Sequence, residues 1–266
     1  MRALVVTVSP DDVELASDAL WSLGVVAVEE RPAGDVVELW TSLGDEFEPH
    51  LAWPWRLEEV DEAVADSWRQ YAKPVEVAPG LIVKPAWVMV KAAAGTTVVS
   101  IEPGATFGAG DHPTTLLCLR AIERLVAPGA TVLDVGCGSG VLAVTAMKLG
   151  ARRAVGIDIS PAAVPVTQAN AAANDVDVDV STAPLHEVDE RFDLVVANIL
   201  APALVDLADD LRRVVAPDGA LVISGILASP DRHRHVLDAL APLVVAHIDT
   251  LDSWAAITLR HGRGGS

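Results

Sequence analysis

Thr131-Val-Leu-Asp-Val-Gly-Cys-Gly-Ser-Gly-Val141 is the stretch whose reading decides the fold. An apolar, β-branched lead-in ends at Asp134, glycines follow at 136, 138 and 140, and then comes the helix-compatible run Val141 to Leu149. A strand that stops at a glycine turn and feeds a helix is how an open, doubly wound sheet builds its ligand crevice. Glycine serves there twice: it takes positive φ without penalty, and it has no Cβ to keep a ligand off the backbone. The amides opening the next helix carry a partial positive charge that suits a carboxylate or phosphate.

The spacing bears on which ligand this is. A dinucleotide fingerprint reads G-x-G-x-x-G, whereas this loop reads G-x-G-x-G. The tighter loop, with an acidic residue two places before its first glycine, resembles the S-adenosylmethionine (SAM) loop of class I methyltransferases. A second acidic residue, Asp158, ends the next apolar run, Ala154-Val-Gly-Ile-Asp158. A carboxylate there can accept hydrogen bonds from both ribose hydroxyls. A glycine-rich turn in an unrelated α/β protein would have to supply both features by chance.

Outward from the loop the chain alternates strand and helix. Strands are expected over 154–158, 176–181, 192–197 and 220–224, and helices over 160–173, 203–215 and 229–240. Ser160-Pro161 and Ser229-Pro230 carry the pattern of an N-cap followed by proline at the first helical position. Two closing strands, 243–249 and 254–259, read as an antiparallel hairpin. This is the pattern of an α/β, Rossmann-like, doubly wound sheet, mixed and seven-stranded.

Upstream, residues 1–60 read as a small α+β unit of β-α-β-β type, ferredoxin-like, with Asp11 or Asp12 capping its helix and a turn over Arg31–Asp35. Residues 61–74 read as a linker helix in which Trp68 and Tyr71 share a face, and 75–266 as the main domain. Short strands between Val75 and Ile101 suggest one or two hairpins. Glu102-Pro-Gly-Ala-Thr-Phe-Gly-Ala-Gly-Asp-His-Pro-Thr-Thr115 is a dense Gly/Pro loop that also carries Phe107 and His112. It opens a helix over Pro113–Leu125, so Thr114 and Thr115 fall in the first turn, facing the glycine loop. His112 reads either as the cap of that helix or as a residue of the cofactor pocket.

At 266 residues, half of them apolar, the chain can bury one sizeable core and a smaller one. Cys118 and Cys137 offer neither a disulfide framework nor metal-ligand spacing, and no stretch reads as a signal peptide or membrane span. A soluble, cytoplasmic enzyme is expected. The formal charge of −18 disfavours direct nucleic-acid binding and favours a basic protein partner, although the Ala-, Val- and Asp-rich composition could alone produce it.

No Ser/His/acid triad, metal cluster or P-loop is visible in the sequence, and methyl transfer from a sulfonium needs none of them. Ligands of open α/β sheets sit at the carboxyl ends of strands. Those ends fall here at Gly136, Asp158, Ser181–Pro184 and Asn198. Asn198 offers an amide to a substrate amine or to the cofactor, or else caps the following helix.

These residues, taken with several longer segments, resemble the PrmA methyltransferases, which modify ribosomal protein L-eleven of the large subunit. The segments are Ser67-Trp-Arg69, Pro85-Ala-Trp87, Phe107-Gly-Ala-Gly-Asp-His-Pro-Thr-Thr115, Asp134–Ala143, Lys148–Ala151, Gly156–Pro161, Ala197-Asn-Ile-Leu-Ala201 and Ser224–Leu227. The resemblance implies SAM-dependent methylation of lysine side chains and the N-terminal amine of that basic protein, with the N-terminal domain recognising it. It also implies cofactor contacts at Thr115, Gly136, Asp158 and Asn198. Gly138, Phe107 and His112 join them from the two loops, and Asn198 is the expected catalytic residue. The family's loop usually carries Thr where Ala109 and Asp111 stand. Other readings of the same pocket are a methyltransferase for another lysine or a small amine, a nicotinamide-dependent oxidoreductase, and a non-catalytic SAM-binding protein.

Overall fold

The structure, a computed structural model, describes residues 2–22, 25, 28–42, 50–59, 73–102, 110 and 112–262. The chain forms two compact units, Met1–Ala72 and Lys73–Ser266. Nearly all of the expected linker helix, with Ser67–Arg69, lies outside the described residues, as do Phe107, Ala109 and Asp111.

The first unit holds β1 (Arg2–Val8), α1 (Val13–Ser22), β2 (Glu29–Ala33), β3 (Val36–Ser42) and β4 (Trp55–Glu59). The strands lie in the order β2-β3-β1-β4, each antiparallel to its neighbour. Alternate residues Leu4, Val6 and Val8 of β1 pack with Ala16 and Leu20 of α1, following the two-residue period of a strand. Two local expectations change. The cap of the first helical segment is Ser9, whose hydroxyl donates to Asp12 at 2.9 Å, because Pro10 opens a 3-10 turn ahead of α1. The turn expected over 31–35 narrows to Gly34 and Asp35, since Arg31–Ala33 pair with β3. Pro32 is accommodated because β2 is an edge strand.

The second unit begins with β5 (Val75–Ala78) and β6 (Leu81–Pro85), a hairpin, followed by β7 (Thr97–Ile101). β7 runs parallel to β6, so of the one or two hairpins expected one forms, and residues 86–96 make a crossover. Then come α2 (Pro113–Leu125), β8 (Thr131–Val135), α3 (Val141–Lys148), β9 (Arg153–Ile157), α4 (Ala163–Ala173) and β10 (Asp179–Ser181). The chain continues through β11 (Phe192–Asn198), α5 (Ala201–Asp206), α6 (Ala208–Val214), β12 (Val215–Leu227), α7 (Pro230–Ala239), β13 (Leu243–Leu251) and β14 (Trp254–His261).

Seven strands form the main sheet in the order β10-β9-β8-β11-β12-β14-β13. All run parallel except β14, which is antiparallel to both neighbours, so the closing hairpin is as the sequence predicts. β8 is buried along its whole length, as expected of a parallel strand covered on both faces. Val132, Leu194, Val196 and Val222 face a core shared with α2, α3 and the small β5-β6-β7 sheet. Leu133, Val135, Val195, Leu221 and Ile223 face the opposite core, with α5, α6 and α7. Burying each such side chain stabilises the fold by about 1.5–3 kcal/mol.

The boundaries that moved have local causes. α4 starts at Ala163 and not at Ser160-Pro161, because the Ser160 amide donates to the Asp158 carboxylate at 2.8 Å. The helix expected over 203–215 begins earlier, at Ala201, and breaks at Leu207 into α5 and α6. Pro217-Asp-Gly219, turn-forming residues, lie within β12, where the pairing with β11 jumps from Phe192↔Val215 to Leu194↔Ala220. Among the described residues no helix is long and apolar enough to cross a membrane.

Candidate active site at the carboxyl edge of the main sheet

Strand order reverses between β8 and β11. From β8 the chain builds outward through β9 and β10, and from β11 it builds the other way through β12. Ligands of open α/β sheets bind at such a switch point. Val135 of β8 pairs with Ala197 of β11, so the next residues, Gly136 and Asn198, end adjacent strands side by side. Gly136, Gly138 and Gly140 all have positive φ (76°, 52° and 78°). A Cβ on Gly136 would lie 2.4 Å from Ile199 Cγ2, and one on Gly140 would lie 2.6 Å from Thr167 Cγ2. Both conformation and space therefore demand glycine.

The loop is fastened by the next strand. Gly136 N and Cys137 N donate to the Ile157 carbonyl at 2.8 and 3.1 Å. Asp158 is half-buried at the tip of β9. Its Oδ2 accepts the Gly138 amide and its Oδ1 the Ser160 amide, both at 2.8 Å. These bonds fix the carboxylate's orientation, and each oxygen keeps a further lone pair. Ile159, 96 % exposed, follows it as an apolar surface beside the carboxylate.

Asn198 is half-buried, and its side chain makes no hydrogen bond among the described residues. It does not cap α5: that position belongs to Leu200, without any side-chain bond. The capping alternative is thereby set aside. Ile199 lies between two glycines, its side chain over Gly136 and its carbonyl 2.4 Å from where a Gly225 Cβ would stand. This fit holds the Asn198-Ile199-Leu200 corner against β8 and β12.

His112 is the N-cap of α2, as the plainer reading has it. Its Nδ1 accepts the Thr114 amide at 3.3 Å and lies 2.8 Å from Thr114 Oγ1. Its ring meets Trp254 edge-on, with centroids 5.4 Å apart. Thr115, in the first turn, is buried, and its hydroxyl has no hydrogen-bond partner among the described residues. Both cysteines are buried and unpaired, and burial raises their pKa values, so neither is poised as a thiolate nucleophile.

Asp134 is the least comfortable group at this edge. It is wholly buried, Oδ2 accepts the Ala143 amide at 3.2 Å, and Oδ1 has no partner among the described residues. Burial, reinforced by the Asp158 charge and opposed by the Ala143 bond, pushes its pKa up from 3.8 to about 7. A carboxyl whose folded pKa is raised contributes its full stability below the unfolded value and loses it as pH rises through the folded value. The free protein is therefore expected to lose thermal stability through this group between about pH 4 and about pH 7. Asp134→Asn keeps an acceptor for Ala143 and removes the titration. Its melting temperature should gain on the unaltered chain far more at about pH 8 than at about pH 5. The same difference at both would contradict the assignment.

The comparisons with known proteins decide the family. The model described as "Ribosomal protein L11 methyltransferase (PrmA)" matches residues 37–262. The chain belongs to the ribosomal protein L11 methyltransferase family. Similar proteins of that name include one from Geobacter metallireducens, 42% identical over 205 residues, covering 76% of this chain and 68% of that one. Another, from Geotalea daltonii, is 45% identical over 210 residues, covering 73% and 66%. The chain thus spans about two thirds of the length of the curated relatives it matches. Among solved structures, the ribosomal protein L11 methylase of Lactobacillus delbrueckii subsp. bulgaricus matches with a TM-score of 0.66 and 32% identity, over 71% of this chain and all of that one. The main sheet is that of a class I SAM-dependent methyltransferase, as the glycine spacing predicts.

Of the residues singled out from sequence, Gly136, Gly138, Asp158 and Asn198 meet at one edge of the sheet. Thr115 and His112 open a helix that packs against β11, β12 and β14. Three contributors had no role assigned from the sequence. Thr167 and Asn170 look like scattered polar residues on an alanine-rich helix, yet both are buried. Gly225 takes φ 82° within what looks like a plain strand ending.

Proposed function

We propose that this chain transfers methyl groups from SAM to amines of ribosomal protein L11, on lysine side chains and at the N-terminus. The adjacency of Gly136 and Asn198 at the switch point carries this reading, because it sets a cofactor loop beside an amide without a hydrogen-bond partner among the described residues. The donor set fits SAM: bare backbone at Gly136 and Gly138, an oriented carboxylate at Asp158, an apolar flank at Ile159 and the Thr115 hydroxyl, which has no partner among the described residues. We assign the ribose to Asp158, the adenine face to Ile159, and further cofactor contacts to Thr115 and Asn198. Phe107 and His112 complete the rim.

When bound, SAM supplies an activated methyl on a positively charged sulfur. The rest of the work is positioning and deprotonation. A free lysine titrates near 10.4. Desolvation at the crest, beside a positive charge, disfavours the ammonium and lowers that value. The Asn198 Oδ1, with nearby backbone carbonyls, accepts from the amine N–H groups and turns the nitrogen lone pair to the methyl. The first unit is the recognition element, and the net charge of −18 favours a basic protein over assembled, RNA-rich particles. Such a substrate is met in the cytoplasm, before assembly.

Asp158→Ala should weaken SAM binding by about 1–3 kcal/mol, through the lost ribose bonds and a loosened Gly138 amide. Calorimetric titration checks this, and unchanged affinity would remove Asp158 from the site. For the substrate, intact-mass measurement of L11 incubated with the enzyme and SAM should show whole-methyl increments. SAM binding with no increment on L11 would point to a different acceptor.

A further inference from the structure

α4 carries a buried polar face that the reaction chemistry above does not use. Thr167 and Asn170, with Asn174 as the residue that caps the end of α4, follow one another at spacings of three and four along one side, and they are 0, 2 and 4% exposed. Burying polar side chains at this depth is destabilising unless each is hydrogen-bonded. Here each one is, and apart from the Cys137 sulfur, 3.7 Å from Thr167 Oγ1, the partners are backbone.

Asn174 pairs with Ser100 of β7 as a strand would: its Oδ1 accepts the Ser100 amide at 2.8 Å and its Nδ2 donates to the Ser100 carbonyl at 2.7 Å. Asn170 repeats the pattern one step along. Its Oδ1 accepts the Glu102 amide and its Nδ2 donates to the Glu102 carbonyl, both at 2.9 Å. The same Nδ2 donates to the Ser139 carbonyl inside the glycine loop at 2.8 Å. Thr167 Oγ1 donates to the neighbouring Gly138 carbonyl at 3.1 Å and stands where a Gly140 Cβ would be. Two consecutive loop carbonyls are thus drawn to α4. In a trans peptide the N–H points opposite to the C=O, so the Thr167 bond turns the Ser139 amide away from α4. Glu102, held by the same Asn170, begins the Gly/Pro-rich segment that leads into α2.

We propose that Asn170, with Thr167, is a positioning residue for the cofactor, setting the glycine loop through its Gly138 and Ser139 carbonyls and fixing the root of the Gly/Pro-rich segment to it. Asn174 makes equivalent bonds but reaches only β7 and its own helix, so it separates structural loss from positioning. The inference rests on SAM being the ligand of this edge.

The test is calorimetric titration of the full chain with S-adenosylhomocysteine, together with melting temperatures and SAM kinetics. Asn170→Ala and Thr167→Val should each raise the dissociation constant by ~10-fold, the loss of one or two hydrogen bonds. KM for SAM should rise with them, while kcat at saturation stays within ~3-fold. Asn174→Ala should lower the melting temperature comparably and leave the dissociation constant within ~2-fold. Equal dissociation constants for the Asn170 and Asn174 variants would overturn the proposal. Should Asn170→Ala fail to fold, Thr167→Val, nearly isosteric, decides alone, and affinity equal to the unaltered chain's overturns it. No binding by the unaltered chain would overturn the cofactor reading and the inference with it, a result distinct from variants that bind as well as the parent.

Discussion

Asn198→Ala is expected to lower kcat for L11 methylation by about 100-fold, with a much smaller change in melting temperature. The asymmetry comes from where the side chain stands. Asn198 ends β11 at the switch point, and its amide makes no hydrogen bond among the described residues, so the fold loses little when it is removed. The acceptor amine would lose the oxygen that turns its lone pair, and misalignment of that kind acts on the rate. SAM affinity should fall by less than the rate does, since Asp158 and the glycine loop remain. Steady-state kinetics with L11 and thermal unfolding on one preparation check it. A fall in melting temperature that accounts for the lost activity would make Asn198 a structural residue.

Gly225→Ala should be nearly as damaging, and for a different reason. Gly225 has φ 82°, and an added Cβ would sit 2.4 Å from the Ile199 carbonyl oxygen and 2.9 Å from its carbon. Backbone cannot yield as a flexible side chain does, so the corner carrying Asn198 must move. That displacement also reaches Gly136, over which the Ile199 side chain lies. We expect a stability loss of about 2–4 kcal/mol and a fall in kcat of about 10-fold or more. Gly34→Ala is the comparison, with φ 69° and nothing within 4 Å of its would-be Cβ. It should lose about 1 kcal/mol of stability and keep its rate. Equal rate losses in the two variants would show that positive φ alone, and not the contact with Ile199, governs the effect.

The two glycine positions also mark what could and could not be read from the chain. Gly136 was legible because it stands in a motif whose spacing has one structural use, between a β-branched run and a helix. Gly225 was not, since its reason is a contact with Ile199, which precedes it by a helix pair and a strand. The same limit hides the asparagines of α4. Their partners in other elements are backbone groups 31 to 74 residues away, and such bonds leave no periodicity. The alternation of strand and helix fixed the order of elements, while some boundaries slipped, among them one where a side chain took a backbone amide first. Asp158 capturing Ser160 N, ahead of α4, is that instance. The parallel pairing of β6 with β7 was missed because turn residues announce a reversal of the chain but not which strand it rejoins.

At the base of this account is a site where β8 and β11 part, shaped for a sulfonium nucleoside. Calorimetric titration of the purified chain with S-adenosylhomocysteine, alongside NAD, tests it most directly. One equivalent of S-adenosylhomocysteine should bind and stabilise the fold, while NAD produces no heat of binding. A folded chain that binds NAD, or neither ligand, would contradict the account.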